Sequence, residues 1–170
     1  ADAVLALCEN GCPSAQADIP GMKVRREYSS LVFGAEHSMT FAPVTVAPGN
    51  VIEIPDAKIR VSCEYAPKAP DIYNSLTTYL FDPGKIYGTV TVRPRAQGDS
   101  IRLRGRGITK PVRRLFIDSH IPAAMRGITP VVADDNGPIA VHGFGVAERA
   151  AFQGSGPVLK LVIEEIIENE

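Results

Sequence analysis

Fourteen prolines and fifteen glycines, spread along 170 residues, set the strongest limit on how this chain can fold. Proline lacks the backbone donor that a helix interior or a central strand needs, and glycine weakens both. Long helices are therefore not expected, whereas many short strands joined by turns are. Hydrophobic residues make up 45% of the chain, enough for a packed core rather than disorder. The pattern reads as an α+β class, with β-rich mixed sheets and one or two short helices. Two small lobes and one fused domain both remain open. The division reads as 1–20, the tail of an upstream helical or linker region; 21–84, a β-rich lobe; and 85–170, a basic α+β lobe. The opening Ala1-Asp2-Ala3, without an initiator Met, adds to the expectation of a piece of something larger.

Local signals place the elements. Residues 3–7 read as the last turns of a helix ended by Asn10-Gly11 and Pro13. Residues 23–28 and then 31–33 read as a strand entering a sheet. Pro43 makes 40–47 an edge strand, and Pro48-Gly49-Asn50 is a turn. Residues 51–54 and 59–63 alternate like a hairpin with one buried face. A proline-broken loop over 66–70 precedes strands at 76–81 and 88–93, with Asp82-Pro83-Gly84 turning between them. Pro111 suits the first turn of a helix in which Val112, Leu115 and Phe116 form a buried stripe. Ile121-Pro122 starts a second short helical turn ending near Gly127. Asn136-Gly137 between apolar runs is a hairpin signal, and 158–167 reads as a strand.

The net charge of −1 conceals a polarised chain. Between Lys85 and Arg126 stand ten basic residues against only Asp99 and Asp118, an excess of eight. The remainder carries a deficit of nine. Such clustering marks a basic binding face. The candidates are Arg93, Arg95, Arg102, Arg104, Arg106, Lys110, Arg113, Arg114 and Arg126. If 102–106 is extended, Arg102, Arg104 and Arg106 share a face. Lys110, Arg113 and Arg114 form the cationic side of the helix. A solvated surface, paired internally to the acidic remainder, is the competing reading; Arg93 and Arg126 in particular could pair with Asp99 or Asp118. Aromatic residues are sparse here (Phe116 and Tyr87). Gripping a duplex backbone is therefore expected over stacking on unpaired bases.

Other chemistry is poorly supported. Cys8, Cys12 and Cys63 form no disulfide framework, and no second pair completes a zinc site. Reduced thiols and a cytoplasmic protein are expected. No apolar run approaches the roughly 18–20 residues that span a bilayer, so no membrane partner is expected. The histidines are His37, His120 and His142. Asp118-Ser119-His120 lacks the spacing and the nucleophile of a catalytic set, and His120 reads as a capping or RNA-facing residue. Gly143-Phe144-Gly145 lacks a dinucleotide loop's third glycine and reads as a strand-end turn. Asp134-Asp135 fits a hairpin turn without any metal.

The chain also carries Val92-Arg93-Pro94-Arg95, Gly98-Asp99, Gly107, Lys110, Arg113-Arg114-Leu115-Phe116, Ile121-Pro122, Arg126, Pro130-Val131-Val132 and Gly143. An Arg-rich strand, Gly-Asp, a basic helix, Ile-Pro with Arg four residues on and a Pro-initiated hairpin follow one another. This succession resembles the C-terminal domain of bacterial tRNA(Ile)-lysidine synthetases. Val24-Arg25-Arg26-Glu27-Tyr28 and Leu31-Val32 extend the likeness upstream. The resemblance implies a ligase that uses ATP to attach lysine to C2 of the wobble cytidine of an isoleucine tRNA. In the family, catalysis resides in an N-terminal domain with a Ser-Gly-Gly-x-Asp-Ser loop that this sequence does not contain. ATP and Mg belong to that domain; no catalytic residue and no cofactor is assigned here. The implied role is recognition of the tRNA acceptor stem, carried by Arg93, Arg95, Lys110, Arg113, Arg114 and Arg126. Arg102, Arg104 and Arg106 rest on charge alone. The alternative is a protein-interaction module whose basic face docks an acidic partner or the parent chain's own catalytic domain. Oligomeric state is left open.

Overall fold

The computed structural model describes residues 2–9, 11–12, 14–34, 38–68 and 76–167. His37 and part of the loop expected over 66–70 lie outside these residues, as do Asn10 and Pro13. Helix α1 (Asp2–Glu9) leads into a three-stranded meander of β1 (Gln16–Ile19), β2 (Met22–Glu27) and β3 (Ser30–Phe33). Leu7 of α1 and Val24 of β2 are buried. Arg26 donates to the carbonyls of Leu7 and Cys8, satisfying acceptors that a helix end leaves open. Residues 23–33, expected as one strand entering a sheet, form a hairpin. Tyr28 turns the chain there with a φ of 55°.

The chain continues through β4 (Val44–Thr45), β5 (Val51–Ile54), β6 (Ile59–Ala66), β7 (Thr78–Phe81) and β8 (Thr91–Arg93). Strands β9 (Ser100–Ile101) and β10 (Lys110–Pro111) pair as a ribbon before helix α2 (Val112–Asp118) and helix α3 (Ala123–Arg126). Then come β11 (Val131–Asp134), β12 (Gly137–Val141), β13 (Gly145–Val146) and β14 (Val158–Glu165). The two larger sheets are ordered β13-β12-β11-β8-β4 and β5-β6-β14-β7. As the sequence suggests, β4 lies at an edge next to Pro43. The β11–β12 hairpin turns at Asp135-Asn136.

Alternation explains the packing. Ile59, Val61 and Cys63 of β6 are buried while Arg60 is exposed, as a half-buried strand demands. They share one core with Phe81, Leu161 and Ile163 and with Val92, Val132 and Ile139 of the five-stranded sheet. A second core covers that sheet's other face. There Val131 and Val141 pack with Val112, Leu115 and Phe116 of α2 and with Ile101 and Leu103. Strand β11 is thus buried on both faces, and Val131-Val132-Ala133 is apolar throughout instead of alternating. The result is α+β: a sheet, a sheet, and a layer made of α2 and the β9–β10 ribbon.

Both larger sheets draw strands from either side of residue 84, since β6 pairs with β14 and β4 with β8. A division into 21–84 and 85–170 therefore cuts through two sheets, because the apolar faces on each side complete one another. Strand β1, inside the 1–20 segment, is likewise paired with β2. Among the described residues no helix is long and apolar enough to cross a membrane.

Candidate nucleic-acid interface

The basic segment departs from the extended run expected over 102–106. Leu103 makes a single bridge to Ala147, and the chain then turns. The N–H of Arg106 donates to the carbonyl of Leu103, and Gly105 adopts a φ of 78°, a region open to glycine. Arg102, Arg104 and Arg106 consequently go three ways. Arg102 pairs with Glu148 at 2.6 Å on the surface. Arg104 Nη1 donates to the carbonyl of Phe152 at 2.8 Å. Arg106 is exposed, and its side chain has no hydrogen-bond or ion-pair partner among the described residues.

Helix α2 follows the expected pattern. Val112, Leu115 and Phe116 are buried, while Arg113 and Arg114 are exposed. Pro111 stands as the N-cap, just ahead of the first helical residue. Lys110 Nζ and Arg114 Nε meet Asp118 at 2.7 Å and 2.9 Å. The Lys110 hydrogen bond, helped by Arg114, outweighs desolvation and holds the Asp118 carboxyl below its ordinary pKa. Arg113 has no ion-pair partner among the described residues. Arg106 and Lys110 both line a cavity of about 270 Å³ over Ile101, Leu103 and Leu115. The cavity thus links the turn to β10, whose Lys110 reaches Asp118 at the end of α2, and these make one basic band.

Three other candidates sit elsewhere. Arg93 grips Asp99 with both nitrogens, at 2.7 Å and 3.0 Å, and donates to the Pro94 carbonyl. Asp99 also accepts the N–H of Ala96, so this pair fixes the 94–99 turn. Arg126 spends Nε on the carbonyl of Ile121 and Nη2 on the hydroxyl of Tyr28. Arg95, half-buried, reaches the carbonyl of Ala96 at 3.4 Å. Arg93 and Arg126 hold the fold, whatever else they touch.

Beside the band, a cleft of about 610 Å³ opens between β7 and β13. Arg104 and Arg106 line it together with Phe144 and Phe152. Sequence reasoning did not single out these phenylalanines as ligand-facing, because they lie well outside the basic segment. The Gly143-Phe144-Gly145 stretch is a turn at the end of β12 leading into β13. Beneath it, the Tyr79 hydroxyl donates to the Leu76 carbonyl and accepts the N–H of Gly143. That hydroxyl has one proton, already given to Leu76. The 2.9 Å contact with His142 Nδ1 therefore assigns the proton to the imidazole. Burial pushes the Tyr79 hydroxyl up to about 12 and lowers His142.

The remaining polar groups are structural. Asp134 accepts from Arg149 and from the N–H groups of Tyr87 and Asn136, and Asp135 accepts the N–H of Thr89. Among the described residues no three His, Cys, Asp or Glu side chains are grouped to hold a metal. His120 takes a φ of 55° after α2, and its ring lies 4.5 Å from that of Tyr28. Cys63 is buried, its thiol pushed up to about 11 by desolvation.

This fold is one already seen in a solved C-terminal domain. It superposes on the crystal structure of a TILS C-terminal domain with a TM-score of 0.65 and 22% identity, covering 75% of this chain and all of the other. Residues 90–163 match the family model described as the TilS substrate C-terminal domain, and most of the chain is similar to curated tRNA(Ile)-lysidine synthases. The tRNA(Ile)-lysidine synthase of Geobacillus kaustophilus (strain HTA426) is 31% identical over 144 residues, 80% of this chain and 30% of the relative. That of Bacillus subtilis (strain 168) is 29% identical over 137 residues, 77% of this chain and 29% of the relative. A shorter match, to that of Clostridioides difficile (strain 630), reaches 40% identity over 69 residues, 41% of this chain and 14% of the relative. The chain thus spans under a third of the length of these curated relatives.

Proposed function

We propose that this chain is the tRNA-binding C-terminal region of a tRNA(Ile)-lysidine synthase, and that its basic band lies along the backbone of an isoleucine tRNA. The observation that carries the reading is the band itself. Arg106, Lys110, Arg113 and Arg114 lie on the turn after Leu103, on β10 and on α2, with Lys110 and Arg114 meeting Asp118, while Arg102 and Arg104 beside them are tied to Glu148 and to the Phe152 carbonyl. Exposed guanidinium groups of this kind contact phosphate oxygens. In this reading the ATP- and Mg-dependent joining of lysine to cytidine belongs to another domain of the parent ligase, which works in the cytoplasm. The present chain holds the acceptor-stem end of the tRNA and contributes no reacting group.

The test is binding of the 170-residue protein to total tRNA and to an isoleucine tRNA across a salt series. Binding is expected to weaken with salt, with a log–log slope of about 0.9 per phosphate neutralised, and to favour the isoleucine tRNA. Equal binding to any polyanion would shift the reading toward a face that docks an acidic protein. Absence of binding at low salt would overturn it.

A further inference from the structure

We infer that the cleft between β7 and β13 receives an unpaired nucleotide of the bound RNA, adjoining the duplex that the basic band grips. This rests on the RNA reading above and adds a second contact to it. Among the described residues, those lining the cleft include Arg104 and Arg106 and no carboxylate. An anion entering there meets two cations and, among the described residues, no opposing charge in the lining. Its apolar lining includes Leu80, Leu103, Phe144 and Phe152. A ligand that joins an anionic group to a flat apolar body matches both features, and a nucleotide is such a ligand.

Three further observations point the same way. The Phe152 carbonyl holds Arg104 through Nη1 alone, which orients the guanidinium while leaving its other nitrogens without partners among the described residues. Gln153 and Thr78 line the cleft and offer an amide and a hydroxyl to a base edge. Arg106 lines both this cleft and the cavity it shares with Lys110, so a strand leaving the duplex has a continuous cationic path inward. At about 610 Å³ the cleft is of a size suited to a small-molecule-sized group and far too small for a duplex. The scarcity of aromatic residues in the basic segment argued against base stacking. The fold answers that by bringing the half-buried Phe144 from elsewhere in the chain, with Phe152 buried against Leu80 and Val158 as part of the cleft's floor.

The experiment compares a blunt RNA duplex with the same duplex carrying a short unpaired extension, at its 3′ or its 5′ end, binding to the 170-residue protein at fixed salt. One extended duplex is expected to bind about tenfold tighter, in the range that stacking one base supplies. A 4-thiouridine in that extension should crosslink to residues 144–146 or 151–154. Gln153→Glu, which puts a carboxylate on an exposed position of the lining, should remove most of the extended-over-blunt ratio; circular dichroism checks that the variant is folded. Equal affinity of blunt and extended duplexes, with salt-dependent binding intact, overturns the cleft and leaves the duplex reading standing. Crosslinks confined to other residues overturn it as well. Loss of the crosslink to free adenosine monophosphate at concentrations comparable to the RNA would overturn the RNA occupant and give the cleft to a mononucleotide instead. Failure of every RNA to bind removes this inference together with the function it rests on.

Discussion

Arg126 Nη2 donates to the hydroxyl of Tyr28 at 3.1 Å, and that hydroxyl in turn donates to the carbonyl of Ile117 at 3.2 Å. A turn of the N-terminal meander is thereby bolted to the ends of α2 and α3. Tyr28→Phe keeps the ring against His120 and removes both bonds. It is expected to cost about 1 kcal/mol, read as a lower urea midpoint. Arg126→Ala should lower the midpoint at least as far. An unchanged midpoint would return Arg126 to the RNA-contacting set.

Arg93 and Asp99 are mostly buried, with side chains 18% and 8% exposed. Removing one partner leaves the other charge without its counterpart. Asp99→Ala is expected to destabilise the protein by about 3 kcal/mol, and the double variant with Arg93→Ala by less than the two single losses added. Strict additivity in a thermodynamic cycle would deny the coupling.

Arg113 and Arg114 point to solvent, and among the described residues only Arg114 has a carboxylate partner. Arg113→Glu with Arg114→Glu should weaken tRNA binding by tenfold or more and reduce the salt slope by about 0.9 for each phosphate no longer neutralised. The thermal midpoint should stay near that of the parent, since neither side chain is in the core. Undiminished binding would remove α2 from the interface.

Acid should weaken the fold in two windows. Burial lowers the pKa of His142, with Glu165 partly opposing. The unfolded chain therefore takes up the proton first. Stability is full above about pH 6.5, the ordinary histidine value, and declines as pH falls from there toward the folded pKa. Burial alone would raise Asp134, but hydrogen bonds from Arg149 and from the N–H groups of Tyr87 and Asn136 leave it lowered. Its contribution is present above about pH 3.9 and is lost as pH falls through the folded value. Urea midpoints measured between neutrality and pH 3 should show both declines. His142→Gln should abolish the upper one, and a midpoint flat from pH 7 to pH 5 would contradict it.

What the sequence disclosed follows the range of the interaction. The i, i+3, i+4 spacing of Val112, Leu115 and Phe116 announced the buried face of α2, and Asn136-Gly137 announced the β11–β12 hairpin, because both are written within a few residues. The β2–β3 turn was missed because Tyr28, not glycine or asparagine, takes the left-handed conformation. The shared face of Arg102, Arg104 and Arg106 failed because Gly105 ends the extended run. Partnership of β14 with β6 and β7 leaves no local mark at all. The candidate site was half legible: charge located the band, but only tertiary packing set Phe144 and Phe152 beside it and gave Arg93 and Arg126 partners inside the fold.

Strand β14 lies between β6 and β7, yet it is synthesised after both. While the ribosome is still at work on the residues before Val158, β6 and β7 have emerged with the gap between them unfilled. The four-stranded sheet can close only when this late strand slots into place. Pairing over such separations is slow for a chain to find. Until then, apolar edges wait exposed, and a chaperone that shields them has its window set by the order of translation.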